Sequence, residues 1–230
     1  GHSGAPHQYL TQGHRYLTCP EPILRQNLQH FRRLVAEHRP DVCGLVETEM
    51  RHVRHLADAH RFCTLPGKYH PDSWWNRARW TRCKGNALLA RRPLAVRHHY
   101  LSAGTKRLVI EAELSPEIGL FLVHLSLRPW VRRRQLHELR FLVQQSKRRH
   151  HVIAGDFNCF GGLAELDSLT RDSDLQLLSL PHHHTFPAHR PRRALDIVLA
   201  SNDLPVSVRV LPAAFSDHRP LLLEVDAARG

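Results

Sequence analysis

The strongest constraint on the fold is an alternation that runs through most of the chain. Stretches with apolar residues at helical spacing are followed by short runs that are apolar throughout. Leu24, Leu28, Phe31, Leu34 and Val35 mark one helix face, Pro40 ends it, and Val42-Cys43-Gly44-Leu45-Val46 follows as a buried strand. Asn86–Ala90, Arg107–Leu114 and Gly119–Leu125 are the next expected strands. A helix is expected from about Arg132 to Lys147, with Leu136, Leu139, Leu142 and Val143 on one face. His151–Ala154, Leu195–Ala200, Val206–Leu211 and Leu221–Val225 complete the strands. Runs without a polar face need cover on both sides, so the pattern calls for an α/β protein. The 230 residues contain no internal repeat and no low-complexity linker, and one domain over 1–230 is expected. The longest apolar runs, around Ile118–His124, fall far short of the ~20 residues of a membrane span.

Polar residues collect where these runs begin and end. Glu47 follows the run 42–46, and Asp156 and Asn158 follow 152–154. Asp196 opens a run, Asp217-His218 precede another, and His124 interrupts an otherwise apolar strand. Strand ends are where α/β proteins place their ligands. Hard cations such as Mg²⁺ take oxygen ligands, usually one or two carboxylates with water and substrate phosphate. Glu47, Asp156, Asn158, Asp196 and Asp217 are suitable oxygen donors. Phosphoryl chemistry also needs an activated nucleophile, a stabilised leaving oxygen and neutralised equatorial charge. These residue types can supply all three.

Charge narrows the partner. Lys+Arg number 33 against 21 Asp+Glu, a formal +12, which favours polyanions such as nucleic acid or phospholipid head groups. Only four of the cations are lysines (Lys68, Lys84, Lys106 and Lys147), and arginine grips phosphate bidentately. A GC-rich coding sequence would produce the same bias. The five cysteines are odd in number and form no C-x-x-C pair, which leans towards a reducing compartment, the cytoplasm. Cys43 reads as a core residue.

The motifs fall in a telling order: Leu45-Val46-Glu47, Gly85-Asn86-Ala87-Leu88-Leu89-Ala90-Arg91, Val123-His124-Leu125, Ala154-Gly155-Asp156-Phe157-Asn158, Leu195-Asp196-Ile197-Val198-Leu199 and Ser216-Asp217-His218-Arg219-Pro220-Leu221. From about Leu24 to Val225 the chain resembles the endonuclease/exonuclease/phosphatase superfamily. Its Gly-Asp-Phe-Asn and Ser-Asp-His-Arg-Pro pair is the most specific part of the match. The resemblance implies a four-layered α/β/β/α sandwich, two mixed sheets face to face with helices outside. It also implies Mg²⁺- or Mn²⁺-dependent hydrolysis of a phosphoester. Under it, Glu47 is the metal-binding glutamate and Asp217 a carboxylate near the metal. Asp156 orients the attacking water, Asn158 contacts phosphate, and Asp196 orients the catalytic His218. His124 matches the strand histidine that contacts the scissile phosphate. The base form of His218 would take a proton; the protonated form would stabilise the pentacoordinate phosphate.

One departure stands out. The family opens with a strand ending in asparagine, which helps hold metal or phosphate. Tyr9-Leu10-Thr11 and Tyr16-Leu17-Thr18 have strand character but no Asn. The chain begins Gly1-His2-Ser3-Gly4, so that strand is expected either upstream of Gly1 or to be lacking.

Several other segments have two readings. Trp74-Trp75-Asn76-Arg77-Ala78-Arg79-Trp80 is expected to cover the core as a loop, while Arg77, Arg79 and Trp80 are candidate substrate contacts. Arg128, Trp130, Arg132, Arg133 and Arg134 are expected as a solvated helix start or as phosphate-backbone contacts. His182-His183-His184 and His98-His99 read as surface, and Glu49 as solvent-exposed or a second metal contact. The expected function is a monomeric metal-dependent phosphodiesterase, first a nuclease. The alternatives are a phospholipid or sphingolipid phosphodiesterase and a catalytically silent binding module.

Overall fold

The computed structural model describes residues 21–49, 53, 62–64, 84–171 and 173–226. In chain order these form α1 (Glu21–His38), β1 (Val42–Glu49), β2 (Phe62–Thr64), β3 (Lys84–Ala90), β4 (Val96–Tyr100), β5 (Leu108–Glu113), β6 (Ile118–His124) and α2 (Pro129–Gln145). Then come β7 (His150–Asp156), a 3-10 turn (Leu163–Leu166), α3 (Asp167–Thr170), β8 (Leu175–Leu177), β9 (Asp196–Ser201), β10 (Val206–Val210) and β11 (Leu221–Val225). The tryptophan-rich segment with Arg77, Arg79 and Trp80 lies outside the described residues, as do Tyr9–Thr18 and the Glu49 side chain.

The central sheet has six strands in the order β4-β5-β6-β7-β9-β8. It is mixed: β6 and β7 run parallel, linked by α2, and the other neighbours are antiparallel. Alternation along these strands sets the layers. Phe121, Val123, Ile153, Ile197 and Leu199 bury against Leu136, Leu139 and Val143 of α2 and Leu169 of α3. The opposite parity faces a second β layer. Leu108, Ile110, Ala112 and Leu122 meet Leu88 of β3 and Val42 and Val46 of β1. Val152, Val198 and Ala200 meet Val206, Val208, Leu221 and Leu223 of the β10–β11 hairpin. That layer comprises the antiparallel sheet β1-β3-β2 and the hairpin. Its outer face is covered by Leu28 and Phe31 of α1, packed with Ala87, Leu89, Cys43 and Leu45. The order is helix, sheet, sheet, helix, as expected.

Three short strands, β2, β4 and β8, escaped the sequence reading. Edge strand β4, Val-Arg-His-His-Tyr, carries polar residues where an apolar run was sought. Its His98 is exposed as expected, but His99 is half-buried with Nε2 2.8 Å from Glu111 Oε2. Helix α2 starts three residues earlier than expected because Pro129 takes its first turn, where a missing N–H costs nothing.

That early start corrects the reading of the arginine cluster. Arg132 is not solvated and does not face a ligand; it is 1% exposed and ion-paired to Glu165. Its Nη1 donates to Ser126 O at 2.7 Å and Leu127 O at 3.1 Å, and its Nε to Glu165 Oε2 at 3.0 Å. Arg128, Trp130, Arg133 and Arg134 are exposed.

Candidate active site

The register of the central sheet lines up three polar residues across adjacent strands. His124 at the end of β6 is paired with Asp156 at the end of β7, and Asp156 with Asp196 at the start of β9. All three share the parity that faces the second β layer. Gly155 permits the close approach just before Asp156. A Cβ there would lie 1.9 Å from Val123 O, and its φ of +147° disfavours any side chain.

Glu47 arrives from the second layer. The β1–β3 register breaks between Leu45 and Thr48, and Glu47 within that break has φ +50°. Such a bulge re-aims a side chain out of its strand's alternation. Its Oε1 lies 3.9 Å from His124 Nε2, and His124 Nε2 lies 3.4 Å from Asp156 Oδ2. Lys106, which the sequence reading did not single out, sits between them, with Nζ 3.3 Å from Glu47 Oε1 and hydrogen-bonded to His124 Nε2. Glu47, Gly85, Asn86, Lys106, Arg107, Leu108 and His124 line a small open cleft. Lys106 stands just before β5 in a segment without periodicity, so only its sign could have flagged it.

Asp156 is held firmly. The Asn158 backbone N–H donates to Asp156 Oδ1 at 2.9 Å, and Asn158 Nδ2 donates to Asp156 Oδ2 and to Leu125 O, both at 3.0 Å. Asn158 adopts φ +54°, a conformation asparagine tolerates well. Both of its amide protons are thus used inside the protein, which makes it a clamp on Asp156. Burial works against the Asp156 carboxylate, yet the His124 hydrogen bond and the charges of His124, His218 and Lys106 hold it below the usual range.

Across the row, His218 Nδ1 lies 2.6 Å from Asp196 Oδ2. The Asp196 backbone N–H donates to Thr185 Oγ1 at 3.3 Å, and Thr185 is buried. Burial disfavours the His218 cation, but the Asp196 hydrogen bond and charge, with Asp156 and Asp217 behind it, raise it to about 9. The pair therefore keeps a proton through the neutral range. Asp217 is half-buried and accepts a hydrogen bond from Ser216 Oγ at 3.0 Å. The structure thus gathers His124, Asp156, Asn158, Asp196, Asp217, His218 and Glu47 at one end of the two-sheet core. His182–His184 are exposed or half-buried, with the His182 and His183 rings 4.8 Å apart.

Four layers with carboxylates and imidazoles at one sheet end define a phosphoesterase fold. The chain belongs to the Endonuclease/Exonuclease/phosphatase family, whose model matches residues 24–218. Members of this family are typically phosphoester hydrolases and commonly use divalent metals. No curated protein matches the chain. Among solved structures, a functionally unknown conserved protein from Enterococcus faecalis is similar at TM-score 0.70 and 16% identity, over 87% of this chain and 90% of that one. A mannosyl-6-phosphatase from Bacteroides thetaiotaomicron gives 0.70 and 16%, over 88% and 91%. A humanized D. rerio TDP2 gives 0.68 and 14%, over 90% and 94%. At such identities the likeness is one of fold.

Proposed function

We propose that this protein is a divalent-metal-dependent phosphodiesterase that acts on nucleic acid. The observation that carries the reading is the row His124–Asp156–Asp196–His218 with Glu47 across from it. It combines an ionised carboxylate and a protonated imidazole with a second carboxylate, Glu47, that opens on the cleft.

Among the described residues, no three or more His, Cys, Asp or Glu side chains come together to cage a metal. Mg²⁺ does not need such a cage, because it keeps several waters and takes one or two carboxylates plus phosphate. Among the described residues, Glu47, 56% exposed on the cleft, is the carboxylate best placed for Mg²⁺ or Mn²⁺, with Asp217 as a carboxylate near it. A bound Mg²⁺ would neutralise charge on the phosphate oxygens.

The chain's own residues supply the rest. Asp156, ionised and held by Asn158, orients the attacking water and accepts its hydrogen bond. His218, fixed at Nδ1 by Asp196, offers Nε2–H to an oxygen of the pentacoordinate phosphate. That favours the protonated role over the base role. Lys106 brings its ammonium to the scissile phosphate, with His124 beside it. The +12 charge supports a polyanionic diester over a neutral substrate.

The test is a panel with Mg²⁺ or Mn²⁺: single-stranded DNA, short RNA, plasmid, a sugar phosphate monoester and sphingomyelin vesicles. The expected result is cleavage of nucleic acid that EDTA abolishes. Turnover of vesicles alone would select the lipid reading, and binding of nucleic acid without turnover the silent module. Turnover that persists in EDTA would end the metal claim.

A further inference from the structure

Beyond His218 the row of site residues continues into aromatic rings. The Phe186 ring lies 5.0 Å from the His218 ring, and Phe160 packs on Phe186 at 6.2 Å with an interplanar angle of 79°. The Arg193 guanidinium lies over Phe160, 5.4 Å from its centroid, and its Nη1 donates to Phe160 O at 3.0 Å. Each part hangs on a site residue. Phe160 follows Asn158 by two positions, and its N–H donates to Asn158 O at 2.9 Å. Phe186 follows Thr185, which accepts from Asp196. An isolated bridge pairs Phe186 with Arg193, with backbone bonds of 3.0 and 3.1 Å in both directions. The wall is fixed in place before any ligand arrives.

Phe160 is also 40% exposed, and Arg193 is exposed. A part-exposed ring with a cation on its face, beside the site proposed for phosphoester chemistry, offers apolar ring surface and charge for a neighbouring phosphate. An acyl chain needs an apolar groove, and a sugar needs a fan of hydrogen-bond donors and acceptors. A planar nucleobase needs only a ring or a guanidinium plane to stack on.

We propose that Phe160, Phe186 and Arg193 form a stacking wall for a nucleobase next to the scissile phosphate, which makes unpaired nucleic acid the preferred substrate. The inference rests on the phosphodiesterase reading above and deepens it. A base inside a duplex is already stacked on both faces, so only single strands or frayed ends can reach the wall.

The experiment compares kcat/KM on a short single-stranded thymidine oligomer with kcat/KM on a chain of equal phosphate number built from abasic spacers. Wild type, Phe160→Ala and Phe160→Trp are assayed, with circular dichroism as the folding control. Wild type is expected to favour the base-bearing strand by about 5- to 150-fold, the range of one base–aromatic stack. Phe160→Ala should bring that ratio close to one, and Phe160→Trp should keep or raise it. A wild-type ratio near one, with both strands cleaved, overturns the wall and leaves the phosphodiesterase reading intact. An equal fall on both strands in Phe160→Ala also overturns it, because a loss shared by a base-free chain is not stacking. If wild type cleaves neither strand, the wall falls together with the reading it rests on.

Discussion

Replacing Arg132 by methionine should destabilise the protein sharply and loosen the site without touching a reacting group. The side chain is 1% exposed and joins two loops that flank the catalytic row. It donates to the carbonyls of Ser126 and Leu127, just beyond His124, and to Glu165. Glu165 in turn accepts the Gly161 N–H at 2.9 Å, beside Phe160. Methionine fills most of the volume, so the cavity cost is small. What remains is the 23% exposed Glu165 carboxylate without its cation, and two carbonyls that lose a donor. Breaking a buried ion pair from one side costs about 3–5 kcal/mol. At about 2–4 °C per kcal/mol for a domain of this size, the melting temperature should fall by about 6–20 °C. Urea unfolding followed by circular dichroism should show a lower midpoint at unchanged slope. The double variant Arg132→Met/Glu165→Met should recover much of the loss, since no unpaired charge is left. A single variant within about 1 kcal/mol of wild type would show that the Arg132–Glu165 pair holds no such energy, as would a double variant less stable than the sum of the singles.

Other perturbations test single features. In the metal-free protein, an NMR titration should place the His218 midpoint near 9, and Asp196→Asn should move it down, because burial opposes the cation and Asp196 is the main group holding it up. Because the folded value is the raised one, the stabilisation from this pair is complete below about pH 6.5. It fades as the pH rises through about 9. A midpoint unmoved by Asp196→Asn would show that Asp196 does not hold the proton. Cys159 is buried, and burial with the Glu165 charge pushes its thiol up to about 12. At pH 8 about one thiol in ten thousand is thiolate, so iodoacetamide should leave Cys159 unmodified in peptide maps of the folded protein and label it in urea. Labelling in the folded state would contradict its burial.

Most of the frame was legible because burial on both faces leaves a mark. β6 is apolar up to its last residue and β7 over Val152–Ala154, and a polar residue at the end of such a run, His124 or Asp156, has few reasons to be there. The motif order then placed Glu47, Asn158, Asp196 and His218 at one end of the fold: the register aligns Asp196, the β1 bulge turns Glu47 in, and contacts with Asp156 and Asp196 hold Asn158 and His218 there. What the sequence hid lacks periodicity. Lys106 lies in a connection, Arg132 looks like any surface cation of a basic chain, and only its three acceptors show otherwise. The aromatic wall depends on pairing Phe186 with Arg193, an isolated bridge that no alternation announces. Edge strand β4 was missed for a related reason, since polar side chains protect an edge and erase its apolar signature.

The most direct measurement is the rate of single-stranded DNA hydrolysis by Asp156→Ala and by His218→Ala, each shown to be folded by circular dichroism and melting. Loss of positioned acid–base or electrostatic assistance should slow both by at least ~100-fold. Turnover within tenfold of wild type in either variant would contradict the placement of the chemistry at this row.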